Sequence, residues 1–138
     1  MADADLVLVD TSVWIRFFRE ATALESRVLD ELLAVGPVAT CPPIRTETIS
    51  GAPTKREYER LRQLFDALTN LELPAGVWRT VEASRFGLAR QGIQASVVDV
   101  LIAVTAHAHR AALWTLDEDF TRIANVVPLT RFHPQAAK

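Results

Sequence analysis

LVLVDTSVW, the stretch at residues 6–14, decides the fold class of this sequence. Its first four residues form a short continuous apolar run, which is typical of a strand buried on both faces of a parallel sheet. Asp10 follows the run directly, and Thr11 or Ser12 is suited to cap a helix that starts there. We therefore expect a buried strand that ends in a carboxylate and passes at once into a helix.

The rest of the chain alternates short apolar segments with amphipathic segments of helical period. Capping signals predict helix starts at Thr22 with Glu25, at Thr54 with Glu57, and at Ser96. Further strands are expected at Val38–Thr40, Leu71–Pro74, Ala112–Thr115 and Val126–Leu129. Strands that alternate with helices predict an α/β fold with a mostly parallel sheet of about five strands, in a single domain over residues 1–138.

Composition fits one domain in a reducing compartment. The chain has 138 residues, of which 49% are hydrophobic, enough for a core at this length. Cys41 is the only cysteine, so neither an intramolecular disulfide nor a cysteine-based zinc site is expected. The acidic start does not read as a targeting segment, and the run Val100–Val104 is far shorter than the ~20 residues of a membrane span. We expect a cytoplasmic protein, with a frayed tail at 134–138.

The overall charge does not decide between function classes. The net charge is −2 and the pI about 5.9, which taken alone argues against a nucleic-acid binder. Assigning four carboxylates to a metal changes the balance, because −2 + 4 = +2 for the remaining residues. A nucleic-acid substrate therefore remains compatible with the charge.

Each acidic residue of interest has a purely structural reading. Asp10 and Asp117 are suited to cap helices, and Asp99 is suited to pair with Ser96 in a capping box. Glu47 is compatible with a solvated helix face. Any one of these carboxylates alone would be read in that way.

Their positions along the predicted strands favour a shared site. Asp10 and Asp117 follow the carboxyl ends of two strands, where ligands bind in open α/β sheets, and Asp99 opens a helix that returns to the sheet. Carboxylates that converge on one crevice repel each other, and a divalent cation relieves that repulsion. Several acids without a histidine or cysteine cluster are typical of Mg²⁺ rather than zinc.

Four segments in order resemble the motifs of PIN-domain ribonucleases, and a compact chain of this size is most similar to the VapC toxins of type II toxin–antitoxin pairs. The segments are Asp10 to Ile15, Pro43 to Gly51 around Glu47, Val98 to Ala106 around Asp99, and Thr115 to Phe120 around Asp117. The chain departs from many relatives at Val98, where they carry a polar residue before the third acid.

The resemblance implies a three-layer α/β/α domain that hydrolyses RNA with Mg²⁺, or with Mn²⁺. It implies that Asp10, Glu47, Asp99 and Asp117 bind the metal directly or through water, with Asp119 as a further ligand. It also implies a homodimer and a VapB-like antitoxin. We expect an antitoxin arginine to pair with the acids, and apolar antitoxin residues to fill a groove between the early helices near Trp14, Phe17 and Phe18.

Several further residues are candidates for substrate contact. Ser12 and Thr115 are placed to orient a ligand or to contact phosphate, although a helix cap and a strand-end hydroxyl explain them equally well. Arg45 is the first candidate for holding the RNA backbone, because it lies two residues from Glu47. Weaker candidates are Lys55, Arg56 and Arg90, and Trp78 for base stacking.

Other classes are less consistent with the sequence. A haloacid dehalogenase-type phosphatase would need Asp-x-Asp after the first strand, where this chain has Asp10-Thr11-Ser12. A receiver domain would need paired acids before that strand's end and a late lysine. An RNA-processing PIN nuclease that is not a toxin, and a degenerate PIN scaffold that only binds partners, stay open as alternatives.

Overall fold

The computed structural model describes residues 6–135, which contain four strands and seven helices. The strands are β1 (Val7–Val9), β2 (Val38–Thr40), β3 (Thr69–Asn70) and β4 (Ala112–Trp114). The helices are α1 (Thr11–Arg19), α2 (Leu24–Val35), α3 (Pro42–Ser50), α4 (Lys55–Asp66), α5 (Val77–Arg90), α6 (Val97–His109) and α7 (Asp119–Ile123). The expected α/β class is confirmed.

The four strands form one parallel sheet in the order β3-β2-β1-β4. β1 lies between β2 and β4, with Val7 opposite both Val38 and Ala112 and with Val9 opposite Trp114. The chain first moves from β1 outward to β3 and then returns to pair β4 with the other side of β1. The strand order therefore reverses beside β1, so a crevice is expected outside the carboxyl ends of β1 and β4.

Helices cover both faces of this sheet, which confirms the three-layer arrangement. Right-handed crossovers put the helices that connect β1, β2 and β3 on one face, and the helices of the return to β4 on the other. On the first face Trp14 of α1 contacts Phe65 of α4, with ring centroids 4.9 Å apart. On the second face α6 packs against α5 and α7. β1 between these layers is buried along its whole length, as its apolar run predicts.

The prediction of a fifth strand at Val126–Leu129 is wrong. The amides of Val126 and Val127 both donate to the Ile123 carbonyl, so this segment closes α7 instead of extending along the sheet. The chain reaches β4 only later, where Arg131 forms an isolated parallel bridge with Leu113. The sheet therefore has four strands in the described part of the chain.

Several predicted boundaries also shift. β3 begins at Thr69, before the predicted Leu71–Pro74 segment, although the Leu71 amide still donates to the Thr40 carbonyl at 2.7 Å. The expected box of Thr22 with Glu25 does not form, because α2 begins at Leu24 with Ala23 as its N-cap; Glu25 accepts from Arg16 at 2.9 Å.

The other two caps are confirmed, with Thr54 accepting from the Glu57 amide and Ser96 from the Asp99 amide. Among residues 6–135, no helix is both long enough and apolar enough to cross a membrane. The prediction for the tail at 134–138 lies partly outside the described residues.

Candidate active site

Asp10 lies at the carboxyl end of β1 and is buried, with 6% of its surface exposed. Its Oδ2 accepts hydrogen bonds from the hydroxyls of Ser12 and Thr115, both at 2.8 Å, and a long one from the Ser12 amide at 3.5 Å. Oδ1 accepts none from residues 6–135. The carboxylate therefore caps α1 through one oxygen and keeps the other available for a ligand.

The hydroxyls of Ser12 and Thr115 connect the start of α1 to the loop after β4. They lie 3.4 Å apart, and Ser12 Oγ accepts from the Leu116 amide at 3.0 Å. Thr115 Oγ1 accepts from the Asp117 amide, also at 3.0 Å. Because one hydroxyl serves both Asp10 and the backbone of Asp117, Thr115 fixes the position of the loop that carries Asp117 relative to Asp10.

Three carboxylates converge beside this network. Asp99, Asp117 and Asp119 each place an oxygen within 4.8 Å of the others. Asp99 comes from the first turn of α6, and the Asp119 amide donates to Asp117 Oδ1 at 2.9 Å. Two separate segments, the first turn of α6 and the chain from Asp117 to the start of α7, therefore present negative charge to one crevice.

Asp99 has a raised pKa within this group of carboxylates. Burial raises the pKa of its carboxyl above the ordinary value, and the charges of Asp117, Asp10 and Asp119 raise it further. A hydrogen bond with Ser96 partly opposes this rise. A cation bound among these carboxylates would offset the repulsion that raises the pKa of Asp99.

Glu47 lies on α3 at the border of the same edge. Its Oε1 accepts from the Thr11 hydroxyl at 3.4 Å, a long hydrogen bond at the start of α1. Burial raises the pKa of the nearby Cys41 thiol to about 12, and the charges of Asp10 and Glu47 contribute to the rise. Cys41 is thus a protonated core residue flanked by two of the predicted ligands.

Glu47 also lines a groove of about 450 Å³ between α1, α3 and α4, whose walls include the half-exposed apolar side chains Ile15 and Phe18. Trp14, which we expected to border such a groove, is fully buried and belongs to the core. Of the five predicted acidic ligands, Glu47 is the one that lines this groove.

Arg45 is not brought to the carboxylates. Positions two apart on a helix point about 200° from each other, so Arg45 and Glu47 leave opposite flanks of α3. Arg45 instead forms an ion pair with Asp66 at 2.5 Å and lines a separate cavity with Tyr58 and Arg62. From this position Arg45 would contact RNA outside the crevice.

The sequence reasoning did not single out Arg122. Its guanidinium donates to Asp119 Oδ1, three residues earlier in α7. Within residues 6–135 no other lysine or arginine comes within 4.0 Å of any of the five predicted acidic ligands. The only available signal was the i, i+3 spacing of Asp119 and Arg122, which places them on one side of a helix.

The donor set suits a hard divalent cation. Carboxylate oxygens are the ligands that Mg²⁺ and Mn²⁺ prefer, and the converging group within the described residues contains neither histidine nor cysteine. Cys41 is buried and protonated at neutral pH, so it does not offer the thiolate that zinc prefers. The residues present therefore fit the predicted ion.

Comparison with known proteins gives matches along most of the chain. Residues 7–126 match the family model described as PIN domain. The VapC ribonuclease Mb1587 of Mycobacterium bovis and ribonuclease VapC11 of Mycobacterium tuberculosis are each 30% identical over 128 residues, covering 90% of this chain and 96% of theirs. The residues matched by the family model include the positions of all five acids.

Solved structures share the fold at lower identity. FitAcB from Neisseria gonorrhoeae superimposes with a TM-score of 0.74 at 20% identity, over 94% of this chain and 98% of that chain. DNA-bound VapBC from Salmonella typhimurium superimposes with a TM-score of 0.74 at 18% identity, over 95% and 96% of the two chains. These likenesses establish the arrangement of helices and strands.

Proposed function

Because the chain belongs to the PIN-domain family and, within it, to the VapC ribonucleases, we propose that it is a metal-dependent endoribonuclease that hydrolyses RNA phosphodiester bonds. The observation that carries the proposal is the convergence of Asp99, Asp117 and Asp119 beside the capped carboxylate of Asp10. This group lies where the strand order reverses, the usual place for ligands in such sheets. One PIN domain over residues 1–138 accounts for the activity.

Asp10, Glu47, Asp99 and Asp117 would hold Mg²⁺ or Mn²⁺, directly or through water, with Asp119 as a further ligand. A bound divalent cation lowers the pKa of water and neutralises charge on the phosphate oxygens. Ser12 and Thr115 orient the Asp10 carboxylate by donating two 2.8 Å hydrogen bonds to one of its oxygens. The Asp10 oxygen that accepts no hydrogen bond within residues 6–135 would then be available to the ion.

The direct experiment is cleavage of single-stranded RNA by the purified chain, with Mn²⁺ or Mg²⁺ and with a chelator. We expect cleavage with either ion and none with the chelator. Cleavage that persists unchanged after complete metal removal would contradict the proposal. Degradation by a contaminating nuclease is recognised because it survives in a preparation of the Asp99→Asn variant.

The same chain would act as the toxin of a toxin–antitoxin pair, inhibited by a VapB-like antitoxin. The groove beside Glu47 supports this role, because it combines apolar walls at Ile15 and Phe18 with a carboxylate at its border. An amphipathic segment suits the apolar part, and an arginine suits the acids. If expression of the chain alone leaves its host unharmed, the RNA-processing alternative is favoured instead.

A homodimer is part of the proposal. Phe86 on α5 is 68% exposed and borders a surface cavity together with Ile93 and Ala95, so an apolar side chain is available there for an interface. Phe65 does not contribute to an exposed face, because it is buried against Trp14. We place the protein in the cytoplasm, where its RNA substrate is found.

A further inference from the structure

We propose that Arg122 holds the phosphate of the RNA backbone beside the carboxylate cluster. The inference rests on the proposed nuclease function and assigns a substrate-binding residue that the sequence did not indicate. Its basis is the position of a partly satisfied guanidinium at the border of a strongly acidic crevice.

The contacts of Arg122 leave most of its donors available. One NH2 group donates to Asp119 Oδ1, and no other N–H of the guanidinium has an acceptor among residues 6–135. The side chains of Arg122 and Asp119 are 56% and 52% exposed, so the guanidinium is accessible to a ligand from solvent. Guanidinium N–H groups form a planar fork that matches two oxygens of a phosphate.

The negative charge of the crevice repels RNA, and a basic residue at its border reduces that repulsion. RNA carries one negative charge per nucleotide, and the five predicted ligands oppose its approach even when a divalent ion offsets two of their charges. Arg122 is the single basic residue of the described chain that contacts this group. It is therefore the residue best placed to attract a phosphate to the metal ligands without itself occupying the crevice.

Arg45, the basic residue that the sequence favoured, lacks this geometry. Its guanidinium pairs with Asp66 on α4, across α3 from Glu47. Arg122 is linked to the cluster through Asp119, whose carboxylate lies within 4.8 Å of Asp99 and Asp117. The link to the carboxylate cluster through Asp119 thus favours Arg122 over Arg45 for contact with the scissile phosphate.

The test compares Arg122→Gln and Arg122→Lys with wild type and with Arg27→Gln, which removes an exposed arginine on α2. Affinity for a fluorescein-labelled single-stranded RNA is measured by anisotropy across a salt series, in Ca²⁺, with gel electrophoresis to verify that the RNA stays intact. Mn²⁺ affinity of each protein is measured separately by calorimetry without RNA.

We expect Arg122→Gln to bind RNA about 10- to 100-fold more weakly, as for the loss of a charge-assisted hydrogen bond. The slope of log affinity against log salt should fall by about 0.7, the contribution of one phosphate contact on a single strand. Arg122→Lys should keep the slope and recover part of the affinity, and Arg27→Gln should match wild type. Mn²⁺ affinity of Arg122→Gln should stay equal to wild type or increase, because a positive charge has been removed.

An unchanged RNA affinity and salt slope in Arg122→Gln would overturn the inference. It would also be overturned if Mn²⁺ affinity fell in parallel with RNA affinity, since Arg122 would then act only by positioning Asp119. Failure of the proposed function has a different signature, because wild type itself would not cleave RNA in Mn²⁺.

Discussion

Thr115 Oγ1 donates a 2.8 Å hydrogen bond to Asp10 Oδ2, joining residues 105 positions apart in the sequence. Asp10 and Thr115 directly follow β1 and β4, which are neighbours in the sheet with Trp114 opposite Val9. The same hydroxyl accepts from the Asp117 amide, so one side chain sets the relative position of two predicted metal ligands. Removal of the Thr115 hydroxyl therefore tests whether it holds these two ligands in place.

Thr115→Val should weaken Mn²⁺ binding and RNA cleavage by about 10- to 100-fold, the usual effect of removing a partner that orients a metal ligand. Stability of the metal-free protein should fall by about 1–3 kcal/mol, because the buried Asp10 loses a donor and the Asp117 amide loses an acceptor. Thr115→Ser retains the hydroxyl and serves as the control. Calorimetry and denaturant unfolding measure the two effects, and equal Mn²⁺ affinity in both variants would contradict the role.

Asp99→Asn should raise the melting temperature of the metal-free protein at neutral pH. The pKa of Asp99 is raised in the fold from 3.8, chiefly by burial, so the native state binds its proton more tightly than the unfolded chain does. The ionised Asp99 carboxylate therefore destabilises the native wild-type protein. This effect is absent below pH 3.8, develops as the pH rises, and is complete above the raised pKa.

The difference in melting temperature between Asp99→Asn and wild type should therefore grow with pH from acid to neutral. Scanning calorimetry in chelator over this range checks the direction. A variant that melts below wild type at pH 7 would show that the Asp99 carboxylate is stabilising, contrary to this account.

Phe18→Asp should weaken antitoxin binding while leaving RNA cleavage intact. Phe18 is 48% exposed and lines the groove beside Glu47, so a charge there opposes an apolar segment. Val35→Asp, at a 77% exposed position at the end of α2, is the matched control. Co-purification and titration with the antitoxin encoded beside the gene measure the effect.

Bound antitoxin should also lower the affinity of the protein for Mn²⁺. Independent binding of antitoxin and Mn²⁺ would contradict a shared site.

Phe86→Asp should convert a dimer into a monomer. An aromatic side chain that is 68% exposed is suited to an interface, and a buried carboxylate there would be unfavourable. Light scattering should give about 30.6 kDa for wild type, twice the 15.3 kDa chain mass, and 15.3 kDa for the variant. Val35→Asp should remain dimeric. A wild-type mass of 15.3 kDa at micromolar concentration would contradict the dimer.

Patterns within the sequence were sufficient for the fold class. The run before Asp10 predicted a strand buried on both faces, and the Ser96 cap correctly placed Asp99 in the first turn of its helix. Val126–Leu129 misled because a short apolar segment with Pro128 reads as an edge strand, whereas its amides complete the turn after α7. Local composition does not distinguish these two ways of burying Val127.

The site was predictable where motifs end strands and less so where side chains meet across space. The convergence of Asp99 and Asp117 was expected from the strand ends, although their role as ligands stays a prediction. Arg45 seemed suitable by sequence distance, but helical geometry turns it toward Asp66. Arg122 could not be selected, because its significance depends on a contact with Asp119 that a sequence shows only as a spacing of three.

The most direct test of the central claim is RNA cleavage in Mn²⁺ by wild type, Asp10→Asn, Asp99→Asn and Asp30→Asn, each with its circular dichroism spectrum. Asp30 is an exposed carboxylate on α2 and controls for the loss of one negative charge. The account predicts native spectra throughout, cleavage by wild type and Asp30→Asn, and loss of cleavage in the other two. Full cleavage by Asp10→Asn and Asp99→Asn in metal-controlled buffer would contradict it.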